Sequence, residues 1–148
     1  MKYIIDQEEI KTIIPHRDPF LFLDGITQLE VNKSITAHKK LYKNEIFLQG
    51  HFPELPVMPG VLIIESMAQA AGVLIHKSND DPSNKFILFL TSIEESKFRR
   101  PIYPEADIIF YAEIIKAKRN FFKFHCTAKV DDQIMAESIL TQAPGKHL

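Results

Sequence analysis

Gly60 to Lys77 reads GVLIIESMAQAAGVLIHK, and this stretch decides the fold. It contains no proline and is apolar on nearly every face at helical spacing. The exceptions Glu65, Ser66 and Gln69 cluster together. A helix that is apolar all round belongs inside a sheet or bundle, because a surface helix keeps one polar face. Pro59 suits the first helical position, where its missing N–H would be unpaired anyway. The spacing therefore predicts one long buried helix over 60–77.

Before that helix, Gly50 to Gly60 reads GHFPELPVMPG, and Pro53, Pro56 and Pro59 mark it as a rigid loop. Asp6 to Ile14 has the pattern of a short helix. Asp6 is its N-cap, Glu9 takes the capping-box position, and Pro15 stops it. Phe20–Leu23, Ile26–Val31 and Ser34–Lys40 are rich in aromatic and β-branched residues and predict strands. Ser78–Asn84 is a polar loop. Phe86–Ile93, Ala106–Ala117, Asn120–Val130 and Ile134–Thr141 predict four further strands. Asp131, Asp132 and Gln133 form the turn before the last, and the tail APGKHL is expected to be loose. Strands on both sides of one buried helix imply an α+β domain over 1–148, an antiparallel sheet curled around the helix.

The 148 residues carry a formal net charge of -1, which excludes the broad positive field of a general nucleic-acid binder. Cys126 is the single cysteine, so no internal disulfide can form and a cytoplasmic location is expected. No apolar run is long enough to span a membrane. The histidines form no metal-ligand spacing, and no glycine-rich phosphate loop is present, so no cofactor or metal is expected.

Three positions could carry chemistry. His51 lies in the proline-braced loop beside Gly50, whose lack of a side chain would let the backbone approach a partner; its alternative reading is a satisfied structural histidine. Glu65 is surrounded by Leu62, Ile63, Ile64, Met67 and Ala68. Burial there would favour its protonated form and fit it as a general acid, although a residue peeking through a gap, or one paired structurally with a strand arginine, would explain it equally. Gln69, one turn on, could hold the Glu65 rotamer, or simply bond a nearby backbone group. At the helix start, the N–H of Gly60 lies at the positive end of the dipole and could polarise a carbonyl. A base, an acid and an oxyanion donor are what β-elimination requires. His16, beside Arg17 and Pro19, is expected to shape a turn. Lys97, Arg99 and Arg100 form one basic cluster, and Lys116, Lys118, Arg119 and Lys123 another; either could be a solvated face or attract an acidic partner.

IIPHRDPFLFLD (13–24), GHFPELPVMPGVLIIESMAQAAG (50–72) and KFRRPIYPEAD (97–107) together resemble the bacterial beta-hydroxyacyl-acyl carrier protein dehydratases of type II fatty acid synthesis. The resemblance implies a hot-dog fold acting as a homodimer, usually a trimer of dimers. It also implies a substrate held on the pantetheine arm of acyl carrier protein, with dehydration of a (3R)-hydroxyacyl thioester to the trans-2-enoyl product. His51 would match the family's catalytic histidine and Glu65 the catalytic carboxylate from the partner subunit. Gly60 would hold the thioester carbonyl, Gln69 would orient Glu65, and Lys97, Arg99 and Arg100 would receive the carrier. Three positions depart from the family pattern: Asp18 for tyrosine, Glu105-Ala106 for the glycine of a turn, and Asp132 for another turn glycine. The rivals are a paralogous dehydratase of another acyl pathway, a hot-dog acyl thioesterase, and an inert hot-dog subunit that only binds carrier protein.

Overall fold

The computed structural model describes residues 2–79, 81 and 86–145. In chain order the elements are β1 (Ile5–Asp6), α1 (Gln7–Ile13), β2 (Gly25–Glu30), β3 (Ser34–Lys40), a 3-10 turn (Ile46–Leu48) and α2 (Gly60–Ser78). They are followed by β4 (Ile87–Phe98), β5 (Asp107–Ala117), β6 (Phe122–Val130) and β7 (Gln133–Gly145). The strands form one antiparallel sheet in the order β1-β2-β3-β5-β6-β7-β4. α2 contacts β3, β4, β5, β6 and β7, so the sheet curls around it. This is the hot-dog arrangement expected from the sequence.

The all-apolar reading of α2 holds along most of its length. Ile63, Ile64 and every residue from Ser66 to Ile75 are buried, whereas Val61 is 77% exposed at the start. Pro59 is the N-cap rather than the first helical residue. Its ψ of 133 is extended, and its carbonyl accepts from the N–H groups of Leu62 and Ile63. α1 is capped as expected at Asp6, which accepts from the Glu9 N–H at 2.9 Å. The reciprocal half of the capping box is replaced, because the Glu9 carboxylate pairs with Lys77 at 3.6 Å.

Several boundaries differ from the sequence reading. Phe20–Leu23 is not a strand: the Phe20 carbonyl and Phe22 N–H bond to Gln69 of α2, the Leu23 carbonyl accepts from Gln7 of α1, and the Phe20 N–H closes a turn on Arg17. β4 runs on past Ile93 to Phe98, and β6 begins at Phe122 rather than Asn120. The tail is not loose through Gly145, because Ala143, Pro144 and Gly145 pair with Phe89, Leu88 and Ile87; Lys146, His147 and Leu148 lie outside the described residues. Ser78 closes α2 instead of opening a loop, and most of the predicted loop to Asn84 also lies outside them. The aspartate turn before β7 is present, with Asp131 and Asp132 at φ 49 and 64. Positive φ at both central positions is what a tight hairpin needs, and aspartate tolerates it.

The core lies between α2 and the concave face of the sheet. Phe110 on β5 and Phe124 on β6 are its largest fully buried side chains. Cys126 is buried beside them and its thiol is pushed up to about 12, which makes it an unreactive packing residue. Phe110→Ala is expected to cost about 3–5 kcal/mol by leaving a cavity beneath α2. A fall in the urea midpoint at unchanged slope and fixed protein concentration is the measurement that checks it.

Candidate active site

Glu65 stands in the second turn of α2, where its side chain is 23% exposed. It is thus not fully buried among apolar groups, as its neighbours in sequence suggested. Its Oε2 accepts a hydrogen bond from Gln69 Nε2 at 3.0 Å, the one-turn relation expected of residues four apart. The same oxygen lies 3.4 Å from Nε2 of His16. The expected alternative, a structural pair with a strand arginine, does not form among the described residues.

Gln69 is buried, and both amide hydrogens and the amide oxygen of its side chain are engaged. Nε2 also donates to the Phe20 carbonyl at 2.8 Å, and Oε1 accepts from the Phe22 N–H at 2.9 Å. One side chain therefore fixes the 20–22 backbone and the Glu65 rotamer together, which is why that segment needs no strand partner. Gln69→Met is expected to destabilise the fold by about 1–3 kcal/mol, because it leaves the Phe22 N–H buried and unsatisfied. Chemical denaturation read beside turnover checks this, and both quantities should fall.

His51 is placed by the loop that follows the 3-10 turn. Its N–H donates to the Leu48 carbonyl at 3.2 Å, and the Met58 N–H anchors the far end of the loop on the Ile102 carbonyl at 2.9 Å. The ring Nδ1 lies 2.8 Å from the Val57 carbonyl. A carbonyl only accepts, so in the neutral ring Nδ1 carries the proton and Nε2 is left with its lone pair outward. That is the tautomer a general base needs. The close approach expected at Gly50 is absent, since an added Cβ there would meet nothing within 4 Å. The unusual residue is instead Phe52, at φ 57, whose ring lies 4.3 Å from that of His51. Left-handed backbone at a bulky residue costs of order 1–3 kcal/mol and clusters at functional sites.

Gly60 opens α2, and its N–H has no acceptor among the described residues. A Cβ added there would lie 3.0 Å from the Phe98 ring, so α2 starts hard against the end of β4. The cavity beside Glu65 is about 60 Å³ and is also lined by His16, Gln69, His76 and Gln142. His51 is not among its lining residues, so the two candidate groups do not share that cavity within one chain.

Of the basic cluster, Arg99 is already engaged. Its Nε and Nη2 donate to the two oxygens of Glu137 at 3.2 and 3.0 Å. The hydrogen bond and the charge of Arg99 hold the Glu137 carboxyl below the usual range. Lys97 and Arg100 are exposed near it. In the second cluster, Lys123 pairs with Glu94 at 3.7 Å. Among the described residues no group of three or more histidine, cysteine or acidic side chains could hold a metal ion, and no helix is long and apolar enough to cross a membrane.

His16, Phe52 and Gln142 are the site residues that sequence reasoning missed. His16 was expected to shape a turn; Arg17 does that, donating to the Ile14, His16 and Lys11 carbonyls, while the His16 ring turns toward Glu65. No periodicity signals this, since the contact joins a loop to a helix far along the chain.

Residues 14–139 match the model of the FabA-like domain. The 3-hydroxyacyl-[acyl-carrier-protein] dehydratase FabZ of Neisseria meningitidis serogroup C is 45% identical over 136 residues, covering 92% of this chain and 91% of that one. The enzyme of the same name from Thiobacillus denitrificans is 43% identical over 137 residues, covering 92% and 94%. Among solved structures, a chain of the dehydratase heterocomplex ApeI:P from Xenorhabdus doucetiae superimposes with a TM-score of 0.79 at 14% identity, over 98% of this chain and 93% of that one.

Proposed function

Because the chain belongs to the FabA-like domain family, among the 3-hydroxyacyl-[acyl-carrier-protein] dehydratases, we propose that it removes water from a (3R)-hydroxyacyl thioester on acyl carrier protein to give the trans-2-enoyl thioester. The observation that carries this reading is the complementary state of the two reactive side chains. His51 offers the Nε2 lone pair, because Nδ1 is committed to Val57. Glu65 offers Oε1, because Oε2 is committed to Gln69. His51 takes the C2 proton while the Gly60 N–H stabilises charge on the thioester oxygen. Glu65 gives its proton to the C3 hydroxyl, the C3–O bond breaks, the C2–C3 double bond forms and water leaves. Proton exchange with solvent resets both groups, and hydration runs the same steps backward.

The site is read as shared between two copies. His51 lies off the Glu65 cavity, and β4 is an edge strand with Phe89, Ile93 and Phe98 exposed. A long apolar edge invites pairing, and a two-fold pairing there gives a homodimer with two composite sites, from which a trimer of dimers can be assembled. Lys97 and Arg100, with the Glu137-bound Arg99, are read as contacts for the acidic carrier. A buried, unreactive Cys126 suits a cytoplasmic enzyme.

The test is turnover of 3-hydroxybutyryl and 3-hydroxydecanoyl thioesters on acyl carrier protein, followed by mass spectrometry. Loss of one water from the carrier-bound acyl group is expected. Release of free acid would instead make the protein a thioesterase. No change on either substrate would favour an inert binding subunit.

A further inference from the structure

Among the described residues, two buried side-chain polar atoms have no hydrogen-bond partner: Nδ1 of His16 and Oε1 of Gln142. Buried polar atoms are satisfied in the great majority of cases. Here both exceptions belong to residues that line one small cavity, and Glu65 lines it too. Gln142 is 4% exposed and its Nε2 donates to the Ala68 carbonyl at 2.8 Å, so its Oε1 can only accept.

The other edge of the His16 ring faces Glu65. Nε2 is 3.4 Å from Glu65 Oε2, the oxygen that already accepts from Gln69. With the neutral ring protonated on Nδ1, Nε2 would present a lone pair to a carboxyl oxygen. With the proton on Nε2, the ring brings an N–H to 3.4 Å from Oε2, an ion-pair distance that a small rotation of the ring would close to a hydrogen bond, and Nδ1 becomes an acceptor. Both orphaned atoms are then acceptors belonging to residues that line one cavity, where a water would be a suitable donor. The cavity of about 60 Å³ exceeds the roughly 30 Å³ share of a single water.

We propose that His16 is a positioning residue for the dehydration, holding Glu65 Oε2 jointly with Gln69 so that the transferable proton sits on Oε1. The Gln69 hydrogen bond, together with a His16 N–H closing from 3.4 Å, stabilises the carboxylate that remains once the proton has gone to the leaving hydroxyl. The inference rests on the reading of Glu65 as proton donor. The groups facing Glu65 are His16, from the connection after α1, and Gln69, from its own helix. β4 contributes only Ile87, Leu88 and Leu90 to the cavity, β7 contributes Gln142, and His76 further along α2 is the other titratable group on it. His51 approaches from the second copy in the proposed dimer.

The experiment is the pH dependence of kcat and KM on carrier-bound 3-hydroxybutyrate for wild type, His16→Phe, His16→Asn, His16→Gln and Glu65→Gln. His16→Phe should lower kcat about tenfold, with KM within about twofold, and move the basic limb to higher pH, because a lost donor favours the protonated acid. His16→Asn, too short to reach Oε2, should behave in the same way and serves if the Phe variant does not fold. His16→Gln places an amide N–H near the Nε2 position and should return the limb to its wild-type pH. A limb unmoved in both His16→Phe and His16→Asn, or moved as far in His16→Gln, overturns the proposal; an inactive Glu65→Gln beside it would leave the Glu65 role standing. Turnover by Glu65→Gln overturns the Glu65 role itself, and the positioning role with it.

Discussion

His51→Ala is expected to lower kcat for dehydration by about 10³-fold or more, near the upper range for removal of a general base. The C2 proton of a thioester is weakly acidic, and His51 is the only imidazole in the loop of residues 50–60. The loop itself should survive, because its anchors are backbone bonds: His51 N–H to Leu48, Leu55 N–H to Phe52 and Met58 N–H to Ile102. Loss of the Nδ1 bond to Val57 should cost only about 1 kcal/mol. The discriminating pair of measurements is thus a collapsed kcat with a nearly unchanged unfolding midpoint. His51→Gln sharpens the test, since an amide can replace the donor to Val57 but provides no basic nitrogen. If that variant kept more than about a tenth of wild-type kcat, the base would have to be another group.

Much of this site could be read along the chain, for reasons that differ residue by residue. α2 was legible because its hydrophobicity is continuous at helical spacing and Pro59 marks its start. Glu65 and Gln69 were legible as the polar exceptions within it, and their contact follows from being one turn apart. The orientation of His51 was not legible, because it depends on the Val57 carbonyl, six residues on in a loop with no repeating pattern. The strand wrongly expected at Phe20–Leu23 shows the opposite failure. Its composition is that of a strand, but Gln69 satisfies the Phe20 and Phe22 backbone groups across forty-nine and forty-seven residues of sequence. His38 and Lys39 were likewise hidden within a strand pattern. Burial holds His38 below the usual histidine range as it bonds Thr27, and Lys39 is buried against Glu45 at 2.9 Å. Local propensity cannot report a polar group whose partner lies on another element.

Glu65→Gln is the second large effect, and it also tests how the site is assembled. An amide at 65 retains the acceptor for Gln69 and much the same volume, but it has no proton to give the leaving hydroxyl. kcat should fall by about 10³-fold, while removal of a carboxylate from a partly buried position leaves stability equal or slightly higher. A single inactive variant does not say which copy of the chain supplies which group. Mixing does. In a composite site, the His51→Ala chain still carries Glu65 and the Glu65→Gln chain still carries His51. A heterodimer of the two therefore has one intact site and one doubly impaired site. After random re-association, half of the dimers are mixed, so activity should recover to roughly a quarter of wild type from two preparations that are each nearly silent. Recovery at that level, absent when either variant is re-associated with itself, is the expected outcome. If the mixture stays as inactive as its components although mass spectrometry shows mixed dimers, His51 and Glu65 act within one chain, and the loop bearing His51 must close over its own helix to reach the substrate.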